Sequence, residues 1–368
     1  MKIMIVSIHP IGDNRISRQI LTLLKENYEV EYYNFSKNEY RSSAKKEEKY
    51  RLVQKEIELS KRNPIGILEI NFILLIAMIT TKANIIHIHD PLLLPIVIIA
   101  KIRHIKVVYD RHESFDKIKG LNGKLCLIAE RIFKRYIDGV VLVNSEQLNY
   151  VKELSKNKYA IIPNYQSLKM YDSVKYVKEK EKIKFVYIGS LDEKTRKIIF
   201  MLKVIEEVLN KNKNTYFFIG GTTKDDNISK LIKKLEDDYN RFIYLGKVQY
   251  NNVIKITKEA DIGLYFAKNV PNNKNSSPNK VFEYMNSGIA IIGVGVFNHI
   301  EEINENAGKI FSYDTKIDEV VNYIIEVIND KKRLEKFKKN ARKIGEKYCW
   351  ETVESKYIEL YQNIYTNK

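Results

Sequence analysis

Three stretches of this chain carry residue types at spacings that can do chemistry. The first is Asn275-Ser-Ser-Pro-Asn-Lys-Val-Phe-Glu-Tyr-Met-Asn-Ser-Gly288. Ser277 suits an N-cap and Pro278 the first helical position, so a helix is expected to open there. Its first N–H groups and the Lys280 ammonium would make an anion site. Glu283, one turn after Asn279, would sit on the same flank, off the apolar face of Val281, Phe282 and Met285, and accept bonds from sugar hydroxyls. The plainer reading is a capped core helix with a surface glutamate. The second stretch is Gly189-Ser-Leu-Asp-Glu-Lys-Thr-Arg-Lys197, which delivers Lys194, Arg196 and Lys197 to the start of a helix. Three cations there oppose the helix dipole unless an anion binds, the alternative being an exposed basic turn. The third pairs His87-Ile-His-Asp-Pro91 with Tyr109-Asp-Arg-His-Glu113. His87 and His89 face one side of a strand, but with Asp90 they lack a third ligand at convincing spacing, so no metal is expected. His112, just past a strand end, is placed to donate to a sugar hydroxyl or a reacting oxygen.

The elements that must position these residues alternate along the whole chain. Expected strands are Lys2–Ile8, Glu29–Phe35, Ile85–His89, Lys106–Asp110, Gly139–Val143 and Tyr159–Ile162, with helices between them. A second series follows at Lys184–Gly189, Thr215–Ile219, Phe242–Leu245, Ile262–Tyr265, Ile289–Ile292 and Lys309–Phe311. Alternation of this kind implies parallel sheets covered by helices, and so two doubly wound α/β domains. Ligands in such sheets bind at the carboxyl ends of the strands, where the three stretches fall. The charged stretch Ser36–Arg62 reads as a surface loop and a solvated helix. The expected division is a Rossmann-like domain over 1–165, a polar linker over 166–182, a second such domain over 183–348 and a C-terminal helix over 349–368 that crosses back to the first domain.

Length and composition set outer limits. The chain has 368 residues, 44% hydrophobic and 30% charged, which suits two domains and excludes a disordered chain. Cys126 and Cys349 have no ligand-spaced neighbours, so they form neither a disulfide framework nor a zinc site and suit a reducing cytosol. The formal charge of +17 is shared, with 28 basic and 18 acidic residues up to position 170 and 35 against 28 beyond it. Such a balance implies an anionic partner. The apolar run Ile65–Thr80 is too short to span a bilayer and is expected to be buried or to touch lipid without crossing. No G-x-S-x-G elbow, Walker loop or G-x-G-x-x-G follows a strand, which disfavours serine hydrolases, P-loop NTPases and dinucleotide oxidoreductases.

SPNKVFEYMNSGIAII resembles the donor-binding signature of the retaining glycosyltransferases of family 4. HP..DNRISRQ, HIHDPLLLP and VVYDRHE together resemble a bacterial branch of that family that builds cell-surface glycans. IIPN at Ile161–Asn164, IGGT and the Trp350 helix agree in order, so the resemblance covers essentially the whole chain. It implies the GT-B fold, two doubly wound Rossmann-like domains facing a cleft, the first binding the acceptor and the second the nucleotide sugar. The implied reaction moves a sugar, with retention, from a nucleoside diphosphate sugar to a glycan or lipid-linked acceptor in cell-surface polysaccharide synthesis. A UDP-sugar is favoured over a GDP-sugar; no cofactor, metal or nucleic acid is implied, and an anionic membrane surface is a further candidate partner. Expected localisation is cytoplasmic, with peripheral contact at the inner face of the plasma membrane.

By the resemblance, Glu283 holds the ribose, Ser277 to Lys280 cradle the pyrophosphate, and Gly246 lines the nucleobase. Arg196 neutralises phosphate, with Lys194 the alternative, and His112 contacts the donor sugar near the reaction centre. Arg196, Lys280 and the helix N–H groups would stabilise the departing diphosphate. The pattern departs at Asn275, where the family has the first Glu of E-x7-E. It departs again at Ser190, where an Arg often follows the Gly, and at Gly12, where many members have two glycines. A sugar-nucleotide epimerase of the same fold and a non-catalytic basic nucleic-acid or membrane-binding protein are the competing readings.

Overall fold

The computed structural model describes residues 1–8, 13–36, 45–47, 52–58, 64–113, 120–179, 181–270, 273, 278–297, 300–304 and 306–366. The chain forms two units, Met1–Asn164 with Val353–Lys368, and Tyr165–Thr352.

In the first unit the order is β1 (Lys2–Ser7), α1 (Asn14–Lys25), β2 (Glu29–Ser36), β3 (Lys45–Glu47), β4 (Leu52–Glu58), α2 (Pro64–Thr80), β5 (Ile85–Ile88), α3 (Val97–Ile102), β6 (Lys106–Arg111), α4 (Leu121–Phe133), β7 (Gly139–Leu142), α5 (Leu148–Val151) and β8 (Tyr159–Ile161). The sheet runs β3-β4-β2-β1-β5-β6-β7-β8, parallel throughout except for β3 against β4. β1, β5 and β7 are nearly continuous apolar runs because helices cover both faces of a parallel sheet. Strand order reverses between β1 and β5.

The second unit runs α6 (Leu168–Ser173), β9 (Ile183–Ile188), α7 (Ile198–Lys211), β10 (Thr215–Gly220), α8 (Asp226–Asp238), β11 (Phe242–Gly246), α9 (Tyr250–Glu259), β12 (Ile262–Phe266), α10 (Asn279–Ser287), β13 (Ala290–Val294), α11 (Ile300–Ile303), β14 (Gly308–Phe311), α12 (Ile317–Asn329) and α13 (Lys331–Lys347). Its all-parallel sheet has the order β11-β10-β9-β12-β13-β14, reversing between β9 and β12. Phe185 and Phe217 stack at 4.4 Å in the core on one side of this sheet. The last helix, α14 (Glu354–Thr366), belongs to the first unit.

Two expectations are corrected here. Within Ser36–Arg62, Leu52–Glu58 is a strand rather than a solvated helix. It extends the sheet beside β2 in parallel register, and Lys55 Nζ donates to Tyr33 Oη at 2.6 Å. A charged strand near a sheet margin discourages further pairing, which is why its composition looks helical. Residues 166–182 are not a free linker but part of the second unit. Gln166 and Tyr171 are 1% exposed, and the Glu351 carboxylate accepts bonds from Ser167 Oγ and from the Leu168 and Lys169 N–H groups. Lys258 Nζ binds the Tyr171 carbonyl at 2.6 Å. The polar side chains that suggested a linker are engaged in internal bonds. Residues 349–352 also stay with the second unit, and the return to the first begins at Val353.

Candidate functional site

In the second unit the polar residues gather at the switch between β9 and β12. β9 runs into Gly189, and Lys280 of α10 lies over it; a Cβ at Gly189 would come within 2.3 Å of Lys280 Cε. The ammonium sits 5.8 Å above the Tyr187 ring and 3.6 Å from the Glu283 carboxylate. Tyr187 Oη donates to the Ser190 carbonyl at 2.7 Å, so the loop after β9 turns back on its own strand. Arg196 bridges to Ala267 beyond β12; its guanidinium donates to Asn273 Oδ1 at 3.2 Å and lies 5.9 Å from the Tyr265 ring centroid. Asn273 in turn donates to the carbonyls of Thr195 and Lys268, which fixes the loop. Two cations are thus held over aromatic rings at adjacent strand ends, beside the first-turn N–H groups of α10. That arrangement suits an anion with several oxygens.

The neighbouring strand ends are close-set backbone. A Cβ at Gly221 would lie 1.9 Å from the Gly189 carbonyl oxygen, and the Gly221 N–H donates to the Gly246 carbonyl at 2.7 Å. Gly246 ends β11 at φ +57, with open space where a side chain would be.

In the first unit the switch between β1 and β5 holds a buried charge network. Asp13 caps α1, accepting from the Arg15 and Ile16 N–H groups. This directs Arg15 inward, where its Nε and Nη2 grip the two oxygens of Asp110 at 3.0 and 3.1 Å and its Nη1 reaches the Ile162 carbonyl at 2.8 Å. Gln19 adds a 2.7 Å bond to the same carboxylate. His87 and His89 lie 4.4 Å apart beside it with their rings tilted by 30°, and His87 Nδ1 and Tyr361 Oη of α14 are hydrogen-bonded at 2.6 Å. His112 follows β6, 16% exposed at its side chain, with Nδ1 3.2 Å from the Asp110 carbonyl. A carbonyl only accepts, so Nδ1 carries the proton in this contact and Nε2 faces away from it.

Residues 171–344 match the family model described as glycosyl transferases group 1. The second unit carries a group 1 glycosyltransferase domain. Over both units the fold is GT-B. It is similar to sucrose-phosphate synthase from Thermosynechococcus elongatus at TM-score 0.73 and 13% identity, covering 100% of each chain. A glycosyltransferase from Rickettsia africae matches at 0.70 and 14%, covering 100% of this chain and 99% of that one. HepE from Anabaena, in complex with UDP-glucose, matches at 0.68 and 13%, covering 98% and 99%. No curated protein matches the chain.

In the second unit Lys280 and Glu283 lie on α10 and Ser190 and Arg196 on the loop between β9 and α7, with Gly246 two strands from β9. Gly12, Asn275 and Ser277 fall outside the described residues. Several details differ from expectation. Pro278, at φ −68 and ψ 125, is the N-cap itself, and α10 starts at Asn279, which is exposed. Glu283 is buried at 8% exposure instead of standing on a solvated flank, with the Lys280 ammonium 3.6 Å from its carboxylate. Ser190 Oγ donates to Asp192, whose carboxylate also holds the Lys194 and Thr195 N–H groups. Lys194 is exposed. Lys197 turns away and donates to the Tyr313 carbonyl at 2.6 Å. The start of α7 is relieved by Glu193, which accepts from the Ile199 N–H at 2.6 Å, so Lys197 needs no anion there.

The buried carboxylate at the histidines is Asp110. Asp90 is engaged elsewhere, accepting from Ser7 Oγ and the Ile8 N–H. Ligand atoms of His87, His89 and Asp110 lie within 4.8 Å of one another, but Arg15 already supplies the counter-charge a metal would bring. Burial opposes ionisation of Asp110, yet the Arg15 guanidinium holds its carboxyl well below the usual carboxylate range. Burial pushes His87 down to about 4, and burial with the His87 neighbour pushes His89 well down. Both rings are therefore neutral when folded and take protons when unfolded. Stability should fall as pH drops from about 6.5 toward 4, by about 1.4 kcal/mol per pH unit for each histidine. The Asp110 contribution persists through that window, since a depressed carboxyl loses its stabilising effect only below the ordinary carboxylate range. Calorimetric melting of the full chain between pH 7 and 5 checks this, and a flat profile would exclude the neutral buried pair.

Proposed function

We propose that the protein transfers a sugar, with retention of configuration, from a nucleoside diphosphate sugar to a glycan or lipid-linked acceptor in cell-surface polysaccharide synthesis. The observation carrying this reading is the placement of Arg196 and Lys280 over Tyr265 and Tyr187 at the β9/β12 switch, beside the start of α10. As the diphosphate leaves, negative charge grows on its oxygens. Two fixed cations and first-turn N–H groups stabilise that charge without reorganising. Glu283 holds Lys280 and accepts from ribose hydroxyls, and Gly246 leaves room for the base. Asn279 belongs to the pyrophosphate turn. His112 acts at the transferred sugar through Nε2. No divalent metal takes part in this scheme, and the acceptor oxygen attacks from the face the diphosphate leaves. HepE is described in complex with UDP-glucose, which favours a UDP-sugar donor. Buried free thiols at Cys126 and Cys349 suit action in a reducing cytoplasm.

Thermal shift with a panel of nucleotide sugars tests the donor class. A UDP-sugar at about 100 times its Kd should add about 2.7 kcal/mol of stability. Turnover should persist in chelator. A shift with no nucleoside diphosphate, or turnover lost in chelator and restored by Mg²⁺, overturns the scheme. Product analysis separates transfer from epimer formation.

A further inference from the structure

Three helices on one side of the first unit's sheet turn large apolar side chains to solvent at helical spacing. On α2, Ile70, Leu74 and Met78 face the core while Leu68, Phe72, Ile76 and Ile79 are exposed, Phe72 by 63%. On α3, Ile98 and Ile102 are exposed, Ile102 by 69%. On α4 the pattern is inverted relative to an ordinary surface helix. Its glutamate, Glu130, is buried at 2% against Arg111 and Tyr109, while Leu121, Leu125, Ile128 and Ile132 stand out. α2 and α4 both pack on the same short 3-10 segment, Pro91–Ile96, which leads directly into α3. The three stripes therefore belong to neighbouring helices. Scattered exposed leucines are normal, but ten large apolar side chains on adjacent helices are not.

The exposed charges on and just after α4 are of one sign, while α2 holds a single half-buried acid, Glu69. Lys124, Arg131 and Arg135 are exposed on and just after α4. A cavity of about 430 Å³ beside the stripe is lined by Leu127, Ile128, Glu130, Arg131, Lys134 and Tyr150. Glu130, its one acid, is already neutralised by Arg111. Apolar side chains flanked by cations are what an interfacial helix presents to an anionic bilayer, burying the former among acyl chains and setting the latter at the phosphates. Pairing with a second copy about a two-fold axis would bring each cation cluster against its own image. No helix among the described residues is long and apolar enough to cross the bilayer, so contact would be from one side.

We propose that the α2–α3–α4 face docks the protein on an anionic phospholipid surface, Phe72, Ile102, Ile128 and Ile132 entering the acyl boundary and Arg131 with Lys124 meeting phosphates. The proposal rests on the transferase reading only for its purpose, which is to bring a lipid-linked acceptor within reach. The test is cosedimentation of the full chain with phosphatidylcholine vesicles, with and without phosphatidylglycerol. Binding is expected only with phosphatidylglycerol and should be lost at high salt. Ile128→Glu with Ile132→Glu should weaken it roughly tenfold or more with unchanged melting, both side chains being exposed. Arg131→Glu should weaken it while leaving UDP affinity intact. Absence of vesicle binding at low salt overturns the docking proposal, as does a wild-type dimer in lipid-free solution that Ile128→Glu dissociates. Calorimetry with UDP is run on the same samples: intact UDP binding without vesicle binding removes the membrane face alone, and the converse removes the donor site alone.

Discussion

Replacing Asp110 with alanine is expected to destabilise the first unit by about 3–5 kcal/mol, since it strands a buried guanidinium. Arg15 is 5% exposed and places Nε and Nη2 on the carboxylate, with Nη1 on the Ile162 carbonyl, so it has no short route to water. Gln19 loses its acceptor as well. The loss is larger than for a surface pair because only one partner of a buried pair is removed. Asp110→Asn keeps an acceptor oxygen and shape and should fall between the two. His112 Nδ1 also lies 3.8 Å from the Asp110 carboxylate, so Asp110→Asn, which weakens that contact, should lower kcat more than it raises KM. Differential scanning calorimetry of the full chain reads the first effect and steady-state kinetics the second. An Asp110→Ala protein that melts like the parent would show that the Arg15–Asp110 pair does not bear on folding.

This network also shows where the sequence was and was not informative. The two βα series are legible because Val, Ile, Phe and Tyr runs alternate with amphipathic helices, and every parallel strand except β4 sits within a residue or two of its expected limits. β4 escaped because a strand near the margin of a sheet is allowed Lys and Glu on its open side, which erases the apolar signature. The segment 166–182 escaped for a related reason: its polar side chains are satisfied internally by Glu351 and Lys258, contacts about 90 to 180 residues away that no local pattern encodes. Glu283 was legible as a helix residue beside Lys280 and not as a buried one. Helical spacing puts it off the apolar face, and neither its burial nor its Lys280 partner is visible in that pattern. Asp110 and Arg15 stood within quoted motifs yet carried no separate signal, since their pairing joins strand and helix across 95 residues. Long-range ion pairs are set by topology, and spacing alone does not reveal them.

Removing Lys280 should have the larger effect on the donor. In Lys280→Ala the ammonium over Gly189 and Tyr187 is lost, and Glu283 keeps its charge at 8% exposure with its 3.6 Å partner gone. An unpaired carboxylate one turn into α10 would repel an approaching diphosphate that the ammonium had attracted, so both losses act in the same direction. A charge-assisted bond contributes about 1.5–3 kcal/mol. UDP affinity should therefore drop by at least about 10-fold and up to about 150-fold, measured by calorimetry. Arg196→Ala should cost a similar factor, but its guanidinium also ties Asn273 to the loop, so part of its loss is expected to appear as lower melting. Glu283→Ala separates the two contributions. It removes the repulsion and the ribose contact together and frees Lys280 to swing, so affinity should fall less than in Lys280→Ala. The double variant should resemble Glu283→Ala with the ammonium's own contribution subtracted, and that non-additivity is the signature of a coupled pair. If Lys280→Ala binds UDP as tightly as the parent in a folded protein, the anion site at the β9/β12 switch is wrongly assigned, and the diphosphate must be held elsewhere in the domain.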